Sequence, residues 1–204
     1  MLESLKKLLG IDSPAEREVI TVVSGLPRSG TSLMMQMLEA GGLPPLTDGQ
    51  RESDADNPKG YYEFERVKKL DEGDTAWLPQ ARGKAVKVVS ALLPHLPPGY
   101  QYQVLLMRRE LEEVLASQEK MLNRRGEDKE IDDREMERLY RRHLRETREW
   151  LKDREHVRHM KVDFNKLVTD PAPVAKRVAS FLDSDLDAKA MTAVVDPELY
   201  RNRA

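Results

Sequence analysis

The sequence predicts a three-layer α/β protein in which a parallel sheet lies between helices. Three observations lead there. A β-branched run, Val19-Ile20-Thr21-Val22-Val23, leads directly into a glycine loop and then into a helix with Leu33, Met34, Met37 and Leu38 apolar. Further short apolar runs recur at 85–90, 103–107 and 157–162. Continuous apolar runs of this length fit strands buried on both faces, and their alternation with helical sequence calls for crossover connections.

Each element has its own local reason. The helix over 32–40 ends at Gly41-Gly42, a C-terminal stop. Residues 43–62 are rich in Pro, Gly, Asp and Asn and read as a long ordered loop, a length usually reserved for function. A short helix is expected over 64–70, and another after Arg108-Arg109, running through Met121. Between Asn123 and His159 charged residues dominate, yet Met136, Leu139, Tyr140, Leu144, Thr147, Trp150 and Leu151 recur at helical spacing. That pattern predicts a long helix with one buried stripe and an ion-paired, solvated face. Val174, Val178, Phe181 and Leu182 predict a last helix over 173–182. At the N-terminus, Leu2, Leu5, Leu8 and Leu9 share a helical face over 1–14, read as a docking or lid helix rather than a signal peptide.

Composition narrows the function. A chain of 204 residues is expected to form a single domain over 1–204. The net charge of −2 and pI near 6.2 give no bulk basicity, so no nucleic-acid partner is expected and a phosphorylated ligand needs a local site. There is no cysteine, hence no disulfide framework or thiolate chemistry, which fits a cytoplasmic protein. No apolar run approaches the ~18 residues of a membrane span.

The chemistry concentrates in Gly25-Leu26-Pro27-Arg28-Ser29-Gly30-Thr31-Ser32. Two glycines five apart, after a strand and before a helix, form a P-loop-type turn. Backbone N–H groups there converge on an anion at a helix N-terminus. Where a nucleoside triphosphatase has lysine, this chain has Thr31, and its cation, Arg28, lies within the turn. A second motif pairs Arg109, at a strand end, with Ser117 eight residues on; these two can share a second phosphate, the alternative being an Arg109–Glu113 ion pair. Lys87 in the second strand needs a partner if buried, and is a site candidate for that reason.

These residues resemble the sulfotransferases that use 3′-phosphoadenosine 5′-phosphosulfate (PAPS). Pro27-Arg28-Ser29-Gly30-Thr31-Ser32 looks like their 5′-phosphosulfate loop, and Arg109 with Ser117 looks like their 3′-phosphate pair. Val162-Asp163-Phe164-Asn165-Lys166-Leu167-Val168-Thr169-Asp170-Pro171, followed by Phe181-Leu182, is similar to their C-terminal "Y-E-D-L-x-x-x-P … F-L" segment. The resemblance implies PAPS as donor, PAP as product, no metal, and transfer of a sulfonate to a hydroxyl or amine. It implies that Arg28, Ser29, Gly30, Thr31 and Ser32 hold the 5′ phosphate, and Arg109 and Ser117 the 3′ phosphate. Arg28 would balance the charge developing on the leaving phosphate, and Lys87 could touch the transferring sulfonate. Phe164 would pack on adenine, or else belong to the core.

The base is left open. Cytosolic members carry a histidine after the second strand, but Val86-Lys87-Val88-Val89-Ser90 has none, and His95 lies in a loop. The tyrosylprotein and bacterial carbohydrate branches use a glutamate after the loop helix, which points to Asp48 first and to Glu63 second, the latter in Asn57-Pro58-Lys59-Gly60-Tyr61-Tyr62-Glu63. The acceptor is a small molecule, a carbohydrate or a peptide. Two alternatives stay open at this level: a small-molecule kinase on the same scaffold, and a PAP-binding protein without turnover.

Overall fold

The structure is a computed structural model and describes residues 19–49, 60, 62–127 and 131–196. The expected helix over 1–14 therefore lies outside the described residues. Four strands form one parallel sheet: β1 (Val19–Gly25), β2 (Ala85–Val89), β3 (Gln101–Arg108) and β4 (Val157–Asp163), in the order β2-β1-β3-β4. Register is set by side-chain parity. Ile20, Val22, Val86, Val88, Val104 and Leu106 enter one apolar cluster, whereas Val23, Ala85, Leu105 and Met107 enter the other. A slip of one residue would exchange the two sets.

Helix α1 (Thr31–Ala40) follows the glycine loop and buries Met34, Met35, Met37 and Leu38 completely. Three flexible thioethers let one short helix fill an irregular space. The same face of the sheet is covered by α5 (Phe164–Thr169), α6 (Pro171–Phe181) and α7 (Ala188–Ala193), through Leu167, Val174, Ala175, Val178 and Met191. The opposite face is covered by a 3-10 turn at Glu65–Lys69, the short α2 (Leu78–Ala81), a second 3-10 turn at Ser90–His95, and the end of a long helix.

That long helix differs from the single one expected across 123–159. Helix α3 (Leu111–Arg125) stops at Gly126, whose φ of 66° is left-handed, the usual C-terminal stop. Helix α4 (Asp133–Lys152) restarts after Asp132, whose carboxylate accepts from the Glu135 amide at 3.0 Å, an N-cap. Its stripe ends in Trp150 and Leu151, packed in the first cluster.

Two features position the site. The helix after β1 covers one face and the end of α4, which leads from β3 to β4, covers the other. The crevice between the carboxyl ends of β1 and β3 is thus the topological switch point, the place where open parallel sheets bind ligands. The chain after α1 also runs beside β2, with Leu46 N donating to Ala85 O at 2.7 Å and Ala85 N to Pro44 O at 2.9 Å. This covers an otherwise open sheet edge and carries Thr47 and Asp48 forward.

Trp77 anchors the first cluster: it is fully buried, donates its indole N–H to Asp74 O at 2.9 Å and meets Phe64 edge-on at 5.8 Å. Trp77→Ala should cost about 3–5 kcal/mol in urea unfolding, whereas Val89→Thr, at a position 42% exposed, should stay within about 0.5 kcal/mol.

Candidate active site

The glycine loop is tightly held. A Cβ on Gly25 would stand 2.4 Å from Ser29 Oγ and 2.9 Å from the Met107 carbonyl of β3; one on Gly30 would stand 2.2 Å from the Phe164 ring. Gly30 has φ 95° and is the N-cap of α1, with no side chain capping the first turn. Its first amides are the groups a helix leaves unsatisfied, and no acidic residue stands among them. Arg28 adopts φ 68°, an uncommon left-handed conformation for a residue with a Cβ. Such strain fits a side chain held for a purpose.

The loop's hydroxyls divide into two kinds. Ser29 is 2% exposed, and its amide and hydroxyl both donate to the Leu26 carbonyl, at 3.2 and 2.7 Å; Ser29 thus braces the turn from within. Ser32 instead faces Lys87, whose Nζ donates to Ser32 Oγ at 3.4 Å.

The second motif meets the first directly. Arg28 Nε donates to Ser117 Oγ at 3.0 Å, and Arg109 Nη1 donates to the Arg28 carbonyl at 3.2 Å. The Arg109–Glu113 ion pair weighed in the sequence is present, at 2.7 Å, but it is buried rather than superficial, with side chains 7% and 2% exposed. Glu113 also accepts from Asn165 Nδ2 at 2.9 Å. Phe164 is 7% exposed; its ring packs on Gly30 and carries the Arg109 guanidinium 4.5 Å from its centroid. The three motifs read separately from the sequence are therefore one packed unit.

The two candidate carboxylates differ. Asp48 Oδ2 accepts from the Glu65 amide at 2.7 Å and Asp48 N donates to the Glu63 carbonyl at 3.4 Å. Those contacts fix the entry to the 3-10 turn. Glu63 presents its carboxylate to Lys87 at 3.7 Å and Lys68 at 3.6 Å, which joins it through Lys87 to Ser32 of the loop. His95 ends its 3-10 turn on the surface.

The family model described as Sulfotransferase domain matches residues 20–200. The chain belongs to the sulfotransferase family. Two solved structures share the fold. A sulfotransferase domain from the curacin biosynthetic pathway is 16% identical, with a TM-score of 0.54 and 91% of each chain covered. A sulfotransferase domain from the Synechococcus PCC 7002 olefin synthase is 18% identical, with a TM-score of 0.51, covering 91% of this chain and 83% of its own. No individually curated protein matches the chain. Sulfonate transfer is the family's activity, so the chain is a transferase. Among the described residues, no helix of this sulfotransferase is long and apolar enough to cross a membrane.

One polar group at the carboxyl end of β2 was missed in the sequence. His143 Nε2 lies 2.8 Å from Ser90 Oγ and 3.3 Å from Thr147 Oγ1, both hydroxyls being almost fully buried. The spacing carried a signal: His143 stands three residues after Tyr140 and four before Thr147, on the buried stripe. Burial lowers its pKa from 6.5, against a smaller opposing pull from Glu146. A depressed folded pKa means that the unfolded chain binds the proton more readily. Its stabilising contribution is complete above about pH 6.5 and declines as pH falls toward the folded value. The melting temperature of His143→Gln should therefore fall less than that of the wild type between about pH 7.5 and about pH 5.5, measured by scanning fluorimetry.

Proposed function

We propose that this sulfotransferase takes its sulfonate from PAPS and passes it to a hydroxyl or amine by in-line displacement, with Glu63 as the base. The observation that carries the reading is the chain of contacts from Glu63 through Lys87 to Ser32. It joins Glu63, at the end of the covering loop, to the turn that would hold the 5′ phosphate. The site residues fit such a donor. The uncapped first turn of α1, with Thr31 and Ser32 on it, suits a phosphate. Arg28 and Lys87 bring two cations to it, and neither is the lysine that a triphosphate's γ-group needs.

When bound, the donor supplies the sulfonyl group: the acceptor atom bonds to sulfur as the bond from sulfur to the 5′-phosphate oxygen breaks. Glu63 takes the acceptor's proton. Lys87, held between Glu63 and Ser32, lies where it can neutralise the transferring oxygens, and Arg28 the leaving phosphate. In this reading Asp48 positions Glu63 through the backbone, and Ser29 shapes the loop without touching the ligand. Arg109 and Ser117 form the 3′-phosphate side, with Phe164 as the floor beneath the Arg109 guanidinium. Charge neutralisation by these side chains takes the part a metal plays at a triphosphate, so a metal-independent reaction is expected. A small-molecule, carbohydrate or peptide acceptor enters over the loop that carries Thr47, Asp48 and Glu63. The whole of 1–204 acts as one domain, in the cytoplasm.

Glu63→Gln should lower kcat by about 10²–10⁴-fold, the usual worth of a general base, and leave PAP affinity nearly intact. Asp48→Asn should lose much less activity and show part of its loss as reduced thermal stability. A larger kcat loss in Asp48→Asn would reverse the assignment.

The donor is tested by ligand-induced stabilisation. PAP should raise the melting temperature more than adenosine 5′-monophosphate, and Mg-ATP should be weaker than PAP. Ser117→Ala should remove most of the difference between PAP and the monophosphate. Greater stabilisation by Mg-ATP would argue for a phosphoryl donor instead.

A further inference from the structure

Helix α4 carries a second pattern that the reaction does not use. Arg134, Arg138, Arg141, Arg145, Arg148 and Lys152 follow one another at intervals of 4, 3, 4, 3 and 4. At 100° per residue this keeps six cations on one side of the helix, away from Tyr140, His143, Thr147 and Leu151. The row is about 27 Å long at ~1.5 Å per residue. Its side chains are largely in water: those of Arg138, Arg141 and Lys152 are 75%, 57% and 61% exposed. Arg134 and Arg145 are exposed as well, and neither has an ion pair or hydrogen bond among the described residues. A shallow groove of about 570 Å³ lies among Arg134, Arg138, Arg141 and Arg145 of the row, with Leu139, Arg142 and the acidic Glu137 also lining it.

We infer that this face docks an acidic helix of a partner protein, one that carries carboxylates at matching intervals of three and four residues. Charge complementarity selects the occupant. The cationic row is narrow: Glu135, Glu146 and Glu149 border it on one side, where Arg142 stands paired with Glu146 at 3.9 Å, and Glu137 borders it on the other. A nucleic-acid duplex presents phosphates across its whole width and would meet those glutamates as well as the arginines. A helix with a single row of carboxylates meets the arginines alone, and the bordering glutamates then penalise a shifted register. A second copy of α4 fits poorly, because three glutamates on one edge leave half of six cations unmatched. Four of the six already have contacts within the helix, Arg138 with Glu135, Arg141 with Glu137, Lys152 with Glu149, and Arg148 with the Leu144 carbonyl. These hold the side chains in place, and Arg134 and Arg145 supply charge that no other described residue takes up. The inference does not rest on the identity of the sulfonate donor or acceptor.

The test uses the whole chain and a fluorescent alanine-based helical peptide with glutamates in one row at intervals of 4, 3 and 4. An isomer with the same glutamates dispersed around the helix, and a short DNA duplex, serve as comparators. The row peptide should bind at low salt, bind several-fold more tightly than the isomer or the duplex, and be released as sodium chloride rises from about 0.05 M to about 0.5 M. The double variant Arg134→Glu, Arg145→Glu should lose about tenfold or more in affinity while keeping its helical circular dichroism and its stabilisation by PAP. Equal binding of the isomer, tighter binding of the duplex, no binding of the row peptide, or an unaffected double variant would each overturn the inference. So would concentration-dependent dimerisation abolished by the same double variant, since it would give the face to a second copy. A wild type that binds the row peptide but is not stabilised by PAP would leave the docking face standing and remove the donor assignment.

Discussion

The site depends on how closely Phe164 is pressed against Gly30. No side chain fits between them, and the other face of the ring carries the Arg109 guanidinium. Through that stack the turn after β1, the end of β3 and the first residue after β4 are fixed against one another. Arg109 then reaches the carbonyl of Arg28, so an arginine backbone in an unfavourable conformation is held by a second arginine. A glycine at position 30 is required twice: by its left-handed φ and by the ring.

Burying Arg109 with Glu113 is costly in isolation, because both ions leave water. The cost is offset by sharing: Arg109 also bonds a carbonyl and lies on a ring, while Glu113 also accepts from Asn165. Removing any one member leaves a charge with an unsatisfied side, so the group behaves as a unit. This ties a short segment after β4, with no obvious chemistry of its own, to the candidate site. Asn165 and Phe164 secure the arginine from the far side of the crevice.

Much of this was legible in the sequence because the signals are local. The apolar runs mark the four strands, and the glycine spacing and the Arg109…Ser117 spacing mark residues that the fold brings into contact through Arg28. Other features were not legible, for identifiable reasons. Whether Asp48 or Glu63 faces the loop depends on how a Pro- and Gly-rich segment folds back on β2, and no periodicity encodes that. Ser29 reads as a phosphate ligand by position; that its hydroxyl donates to the Leu26 carbonyl, in space left by the missing side chain of Gly25, follows from packing that the sequence does not display. The break between α3 and α4 turns on Gly126 and Asp132, single residues within a charged stretch whose overall pattern is helical. Helices α2 and α7, of four and six residues, are too short to develop a pattern.

The methionines of α1 have a consequence of their own. Met34, Met35 and Met37 are wholly enclosed, as is Met191 opposite them, so oxidants in solution cannot reach their sulfurs while the helix is seated. Oxidation to the sulfoxide would place a polar oxygen in the apolar layer and oppose reseating. The helix that begins at the glycine loop is therefore secured by atoms whose chemical state records each opening. Slow peroxide chemistry at these sulfurs would count how often the glycine loop and its helix lift from the sheet.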